Sequence, residues 1–140
     1  MPNHAKMWYN RIGKVDKMDC LFCKIISGEI PCKKIYEDDE FFVFLDLNQQ
    51  SEGHALIVPK EHVADYKGLS DEKVKKILKL AENISEKLMD ILGKTGVSFL
   101  FNYGTNQEIK HFHLHIMPNF LKENGTKSID EVYDILKGKF

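Results

Sequence analysis

The sequence lacks three features that would place it in a specialised class: a long apolar run, an excess of charge of one sign, and many cysteines. Without a run of about 20 apolar residues, we expect no helix that crosses a membrane. The 20 Lys and Arg residues nearly balance the 21 Asp and Glu residues, and a net charge of -1 does not favour binding to nucleic acid or to a membrane surface. Three cysteines are too few for a disulfide framework, which leaves metal binding or redox chemistry for them.

The length and composition are those of one globular domain. The chain has 140 residues, of which 43% are hydrophobic and 29% are charged, and a chain of this size can bury a hydrophobic core. Residues 1–18 are basic and polar, show no hydrophobic periodicity, and have no apolar stretch typical of a secretory signal. We therefore expect a cytoplasmic protein in which residues 1–18 form an extension outside the core.

The hydrophobic pattern predicts an α+β fold with an antiparallel sheet of about five strands. The clearest helix is predicted to begin after Ser70, a favourable N-cap, and to end at Gly93. Its apolar stripe between Val74 and Leu92 should pack on the core or in a dimer. A short N-terminal helix is predicted within residues 21–30, and another after Ser128, which begins a capping-box motif. Because the strands follow one another as hairpins with the helices inserted, the sheet should be antiparallel, with strands over residues 34–37, 41–45, 55–59, 97–102 and 110–117.

The segment from His111 to Met117 alternates histidines with apolar residues. Successive side chains of a strand point to opposite faces, so His111, His113 and His115 should share one face while the apolar residues between them pack on the long helix. Three imidazoles on one face could ligate a catalytic zinc that keeps an open position. Alternatively they could handle phosphate, with one neutral imidazole attacking phosphorus while its neighbours hold the phosphoryl oxygens.

The residues before this segment favour phosphate chemistry. Asn102, Gly104 and Gln107 occupy the preceding turn, where amides and a glycine backbone can line an anion site. Glu108 is the one carboxylate beside the histidines, and the sequence contains neither a P-loop nor a Gly-x-Ser-x-Gly motif.

These residues resemble the histidine triad (HIT) nucleotide-binding family, in particular its Hint-like branch. The segment HFHLHIM at 111–117 matches the family signature of three histidines separated by apolar residues. The resemblance implies a HIT domain over about residues 19–120, and it leaves residues 1–18 and a C-terminal tail with a short helix, residues 121–140, outside. Further matching blocks are KIISGEIP at 24–31, YEDD at 36–39, FLD at 44–46 and GHALIVPKEH at 53–62.

The resemblance implies roles at the phosphate. The middle histidine, His113, would be the nucleophile, and His115 and His54 would contact the phosphate. Asn102 and Gln107 would be polar residues at the scissile phosphate. The chain departs from many Hint-like relatives at Glu108, where they have a serine, and in a shorter loop before His111.

The resemblance also implies a nucleotide substrate and a reaction. We expect a hydrolase that removes a phosphorus-linked leaving group, such as an amine, from a nucleoside 5'-monophosphate, with purine nucleotides such as AMP or GMP derivatives as substrates. Hydrolysis of dinucleoside polyphosphates, and nucleotide binding or scaffolding with incidental catalysis, stay open as alternatives. Asp46 would accept hydrogen bonds from the ribose hydroxyls, and the nucleobase pocket would consist of Phe22, Ile25, Phe44 and Leu47.

The cysteines form a Cys-x-x-Cys pair whose meaning is open on spacing alone. Cys20 and Cys23 could bind zinc, form a redox pair or stay as free thiols, and a structural zinc needs two further ligands. The resemblance implies His62 and His111 as those ligands and one structural zinc per chain. It also implies a homodimer in which two sheets join side by side.

Overall fold

The fold is built on one five-stranded antiparallel sheet. The computed structural model describes residues 19–140, so the predicted extension over residues 1–18 lies outside the described residues. The predicted α+β class is confirmed. The strands are β1 (Lys34–Glu37), β2 (Phe41–Leu45), β3 (Ala55–Pro59), β4 (Val97–Leu100) and β5 (Leu114–Pro118), and their order across the sheet is β1-β2-β3-β5-β4.

Both faces of the central strands are buried. Along β2, Val43 and Leu45 point to one face and Phe42 and Phe44 to the other, as the two-residue period of a strand requires. The first face packs against a 22-residue helix, α2 (Asp71–Leu92), and the second against a six-residue helix, α1 (Leu21–Ile26). The hydrophobic effect therefore holds the long helix on one side of the sheet and the Cys-x-x-Cys helix on the other.

The long helix begins and ends where the sequence predicts. The Ser70 hydroxyl accepts a hydrogen bond from the backbone N–H of Lys73 at 3.1 Å, and Gly93 ends the helix in the left-handed conformation with φ +69°. Ile77, Ala81, Ile84 and Leu88 of the stripe are buried in the core, whereas Val74 and Leu78 stay exposed. No helix among residues 19–140 has the length and apolar character needed to cross a bilayer.

Three element ends differ from the prediction. The last strand begins at Leu114 and not at Lys110, because the backbone N–H of Phe112 donates to the carbonyl of Val63 at 2.7 Å and is therefore not part of the sheet ladder. Strand β4 ends at Leu100, the last residue that pairs with β5. Strand β5 ends at Pro118, one residue later than predicted, whereas helix α1 lies within its predicted range and ends at Ile26, shortly before Gly28 with φ +89°.

The C-terminal segment packs into the core that the sheet and α2 form. Helix α3 (Ile129–Leu136) begins at the predicted capping box, and its Val132 and Leu136 are fully buried. The buried carboxylate of Glu52 holds the loop before this helix, since it accepts hydrogen bonds from the backbone N–H groups of Thr126 and Lys127 and pairs with Lys94 at 2.9 Å. Residues 121–140 are thus tied to the turn that precedes β3.

Candidate functional site

A cavity of about 280 Å³ lies on the α1 side of the sheet. Five of the predicted site residues line it, contributed by α1, the turn after β2, the turn after β4 and the segment that enters β5. These five are Phe22, Asp46, Asn102, His113 and His115.

His113 presents a neutral imidazole to this cavity. Its Nδ1 lies 2.8 Å from the carbonyl oxygen of His111, and because a carbonyl can only accept, Nδ1 carries the hydrogen. Burial lowers the pKa of His113 to about 4, so the ring is neutral near pH 7 and its Nε2 has a free lone pair. The Phe22 ring packs edge-on against the imidazole, with centroids 5.0 Å apart. An oriented, neutral imidazole of this kind is able to act as a nitrogen nucleophile.

His54 and His115 form a hydrogen-bonded relay beside it. The backbone N–H of Gln50 donates to Nδ1 of His54 at 3.1 Å, so a neutral His54 carries its hydrogen on Nε2. That Nε2 lies 2.9 Å from Nδ1 of His115, which must therefore accept. Burial lowers the pKa of both rings, that of His115 to about 4. His115 consequently keeps an Nε2 hydrogen that it can donate to an anionic oxygen in the cavity.

Asp46 is a buried carboxylate next to this relay. It is 4% exposed, its Oδ1 accepts a hydrogen bond from the backbone N–H of Asn48 at 2.9 Å, and its Oδ2 lies 3.5 Å from Nε2 of His54. The Asn48 bond closes an Asx-turn that fixes the direction of the carboxylate. Asp46 also lines the cavity, so it can accept hydrogen bonds from a ligand hydroxyl there.

Five of the residues predicted for phosphate and nucleotide binding do not line the cavity, and one of them, His54, lies behind His115, to which it is hydrogen-bonded. Gln107 is buried under the turn, where its Nε2 donates to the carbonyls of Ala64 at 2.8 Å and Ile109 at 3.0 Å. It supports the turn that carries Asn102 and does not face the ligand space. The other three belong to the predicted nucleobase pocket: Ile25 and Phe44 are buried behind Phe22, and Leu47 is 52% exposed on the following turn.

Further cavity residues were not predicted from the sequence. Asn48 lies two residues after Asp46, and an Asp-x-Asn sequence is a usable signal because such pairs form Asx-turns. Leu56 pairs with His115 across the sheet, so strand alternation would have placed it on the same face. Asn106, Glu108 and Ile109 complete the wall after β4, and only tertiary packing decides which of them face inward.

The four predicted metal ligands lie together at a separate site. The ligand atoms of Cys20, Cys23, His62 and His111 are all within 4.8 Å of one another. His111 Nε2 donates to the carbonyl of Pro59 at 2.7 Å, which leaves its Nδ1 lone pair facing the Cys20 and Cys23 sulfurs at 3.4 and 3.5 Å. The Cys23 sulfur lies 3.3 Å from Nδ1 of His62. A tetrahedral zinc with bonds of about 2.3 Å to sulfur and 2.0–2.1 Å to nitrogen places such atoms about 3.5 Å apart, so this donor set fits the ion.

A second cluster, Asp46, His54 and His115, is as compact but suits hydrogen bonding better than a metal. Because Nδ1 of His54 uses its lone pair for the Gln50 N–H, a cation at Nε2 would have to displace the remaining ring hydrogen. The three histidines could bind a catalytic metal or handle phosphate, and the pattern of hydrogen-bond donors and acceptors favours phosphate binding.

Comparison with known proteins identifies the family. The HIT domain model matches residues 27–122. Protein hit of Bacillus subtilis is 37% identical over 113 residues, which cover 79% of this chain and 78% of that protein. The adenosine 5'-monophosphoramidase of Schizosaccharomyces pombe is 40% identical over 110 residues, covering 77% of this chain and 80% of that protein.

Solved structures agree with the sequence relatives. A zinc-bound histidine triad family protein of Mycobacterium smegmatis superposes with a TM-score of 0.76 at 30% identity, covering 87% of this chain and 93% of that chain. A HIT family protein of Bacillus anthracis superposes with a TM-score of 0.71 at 36% identity, covering 78% and 79% of the two chains. With the motif, the fold and the sequence relatives in agreement, the chain belongs to the HIT family.

Proposed function

We propose that this nucleotide-binding hydrolase of the HIT family cleaves a phosphorus-linked leaving group, first of all an amine, from a nucleoside 5'-monophosphate. The observation that carries the proposal is the orientation of His113 at the cavity. Its ring hydrogen is on Nδ1 and burial keeps the ring neutral, so the Nε2 lone pair can attack phosphorus. The likeness to the adenosine 5'-monophosphoramidase of Schizosaccharomyces pombe supports an amine as the leaving group. The cytoplasmic location stays a prediction.

The proposed reaction has two steps. Nε2 of His113 attacks the α-phosphorus in line, the bond from phosphorus to the leaving nitrogen breaks, and the amine leaves with a proton from the solvent or the site. Water then attacks the nucleotidyl-histidine, which releases the nucleoside monophosphate and restores the neutral imidazole. His115, oriented by His54, donates to the phosphoryl oxygens with Asn102, so orientation and preorganised donors supply most of the acceleration. Gln107 takes part by holding the turn on which Asn102 lies.

The proposed nucleoside site is at the other end of the cavity. Asp46 would accept hydrogen bonds from the ribose hydroxyls, and Phe22 would contact a purine base. Ile25 and Phe44 pack against Phe22 on the side facing the core. Leu47, on the exposed turn after β2, would cover the base.

We further propose that Cys20, Cys23, His62 and His111 bind one structural zinc. Four protein ligands leave no open position, so the ion would join the α1 segment to the histidine segment without activating water. The zinc-bound relative from Mycobacterium smegmatis supports this assignment.

We also propose that two copies associate through β4. This edge strand exposes Phe99 and Leu100, and an apolar cavity of about 190 Å³ lies between Phe101 and the exposed Leu78 of α2. An exposed apolar edge strand beside an apolar helix face is a surface that proteins normally cover. A second copy would cover it by continuing the sheet.

The nucleophile is tested by His113→Ala. We expect turnover of an AMP-amine substrate to fall by at least about a thousandfold, while AMP affinity stays within about tenfold because binding uses other residues. Rapid quenching of the wild-type protein should trap an acid-labile nucleotide on His113. Turnover at the wild-type rate by the variant would contradict the mechanism.

A panel of AMP-amine and dinucleoside polyphosphate substrates separates phosphoramidate hydrolysis from dinucleoside polyphosphate hydrolysis and from nucleotide binding with incidental catalysis.

The ribose contact is tested by Asp46→Ala. Hydrogen bonds to a charged group contribute roughly 1.5–3 kcal/mol, so affinity for AMP should fall about ten- to a hundredfold. Affinity for a dideoxyadenosine monophosphate should change much less, because it lacks the hydroxyls. If both ligands lost affinity equally, Asp46 would be holding the turn through Asn48 and not the ribose.

The zinc site is tested by elemental analysis and thermal unfolding. Protein purified without a metal-binding tag should contain one zinc per chain, and chelator should lower its melting temperature, because metal binding is coupled to folding. The Cys20→Ser variant should contain little zinc and should unfold at a lower temperature than the wild-type protein. Cys32→Ser is the matched control, since Cys32 lies outside the ligand cluster, and equal zinc content in the two variants would refute the assignment.

The dimer is tested by light scattering on Phe99→Lys. Wild-type protein should have the mass of two chains, and a charge on the apolar edge strand should shift it to one chain. Leu121→Lys is the control, because Leu121 is 80% exposed and lies outside the β4 surface. A wild-type protein with the mass of one chain would exclude this assembly.

A further inference from the structure

A buried ion pair ties the turn between β2 and β3 to the C-terminal tail. Glu52 is 4% exposed, and its carboxylate pairs with Lys94 at 2.9 Å. The same carboxylate accepts hydrogen bonds from the backbone N–H groups of Thr126 and Lys127, both at 2.7 Å. The backbone N–H of Glu52 in turn donates to the carbonyl of Asn124 at 2.8 Å. Glu52 therefore fixes the position of this turn relative to the loop over residues 124–127.

The loop and the turn fit each other closely. Gly125 has φ +83°, in the left-handed region that favours glycine, and a Cβ atom there would collide with the Glu52 carboxylate. A second cross-link lies three residues earlier on the turn, where Nε2 of Gln49 donates to the carbonyl of Lys127 at 2.9 Å. The loop thus holds the turn on both sides of Gln50.

Gln50, between these two cross-links, sets the tautomer of His54. Its backbone N–H donates to Nδ1 of His54 at 3.1 Å, so Nε2 of His54 carries the hydrogen that His115 accepts. If the turn moved and the Gln50 bond were lost, the hydrogen of His54 could move to Nδ1. His115 would then donate its own Nδ1 hydrogen to His54 and would present a lone pair to an anionic oxygen in the cavity. The position of the Gln50 N–H therefore decides whether His115 can donate to phosphate.

We propose that Glu52 is a positioning residue that holds the Gln50 N–H against His54, and that the C-terminal loop over residues 124–127 is the support it uses. The proposal rests on the proposed function, because the hydrogen that it secures on His115 is the one donated to the phosphoryl oxygens. Glu52 does not line the cavity, so it would act on turnover only through the turn. The tail, which lies beyond the family motifs, would thereby take part in the reaction.

Glu52→Gln tests this role. Glutamine keeps the size of the side chain but has one acceptor oxygen, so its NH₂ group faces either Lys94 or the loop and one of the two contacts is lost. We expect kcat for an AMP-amine substrate to fall about threefold to tenfold, the range expected when one hydrogen bond is lost. KM should stay within about twofold, because Asp46 is held by its own bonds with Asn48 and His54.

The tautomer of His54 is a readout that a loss of stability alone would not change. The ¹⁵N chemical shifts of an imidazole distinguish the nitrogen that carries hydrogen from the nitrogen with the lone pair. His54 of the folded wild-type protein should carry its hydrogen on Nε2, and Glu52→Gln should add a population with hydrogen on Nδ1. An unchanged His54 pattern or an unchanged kcat in the folded variant would overturn the proposal. If the wild-type protein hydrolysed no phosphoramidate, the proposed function would fail, and the tautomer would still decide whether Glu52 positions His54.

Two further variants complete the experiment. Asp130→Asn removes another carboxylate of the tail, one whose exposed ion pair is with Lys33 at 2.8 Å, and it should keep the wild-type kcat and His54 pattern. If it changed them as Glu52→Gln does, any weakening of the tail would suffice and the assignment to Glu52 would be refuted. Gln49→Ala breaks the second cross-link without leaving a buried charge unpaired, so it carries the test if Glu52→Gln does not fold. It should change kcat and the His54 pattern in the same direction, and wild-type values would overturn the proposal.

Discussion

The alternation of side chains between His111 and Ile116 is the constraint on which the rest of the structure depends. Phe112, Leu114 and Ile116 are buried against α2, and burying each of them contributes roughly 1.5–3 kcal/mol. A shift of one residue would move all three out of the core and place imidazoles there, so the register is strongly determined. The histidines face α1 as a consequence of how their neighbours pack.

The sequence was sufficient to predict this arrangement because the alternation is local. The α2 caps and the Ser128 capping box are local too, and they occur where the sequence indicates. The start of β5 could not be predicted, because it depends on a hydrogen bond from Phe112 to Val63, a residue far away in the sequence. The same holds for the C-terminal tail, whose Leu136 is buried although the family motifs end before it.

At the site, residue types were easier to predict than orientations. The motif brings His113, His115 and Asp46 to one cavity, but the position of each ring hydrogen depends on the carbonyl of His111 and the backbone N–H of Gln50. Gln107 illustrates the same limit. Its amide is the right chemistry for a phosphate, yet the carbonyls of Ala64 and Ile109 that it reaches are visible only in three dimensions.

One residue, His111, connects the cluster of four possible metal ligands with His113. The His111 side chain faces the Cys20 and Cys23 sulfurs and donates to Pro59, while its carbonyl accepts the hydrogen that sets the tautomer of His113. The His111 ring and the carbonyl that orients His113 thus belong to one residue. If the four ligands hold the proposed zinc, the ion would stiffen this segment next to His113, and an attacking group must be held to within a fraction of an ångström. The two sites are coupled physically because His111 and His113 lie two residues apart on the same segment and share this hydrogen bond.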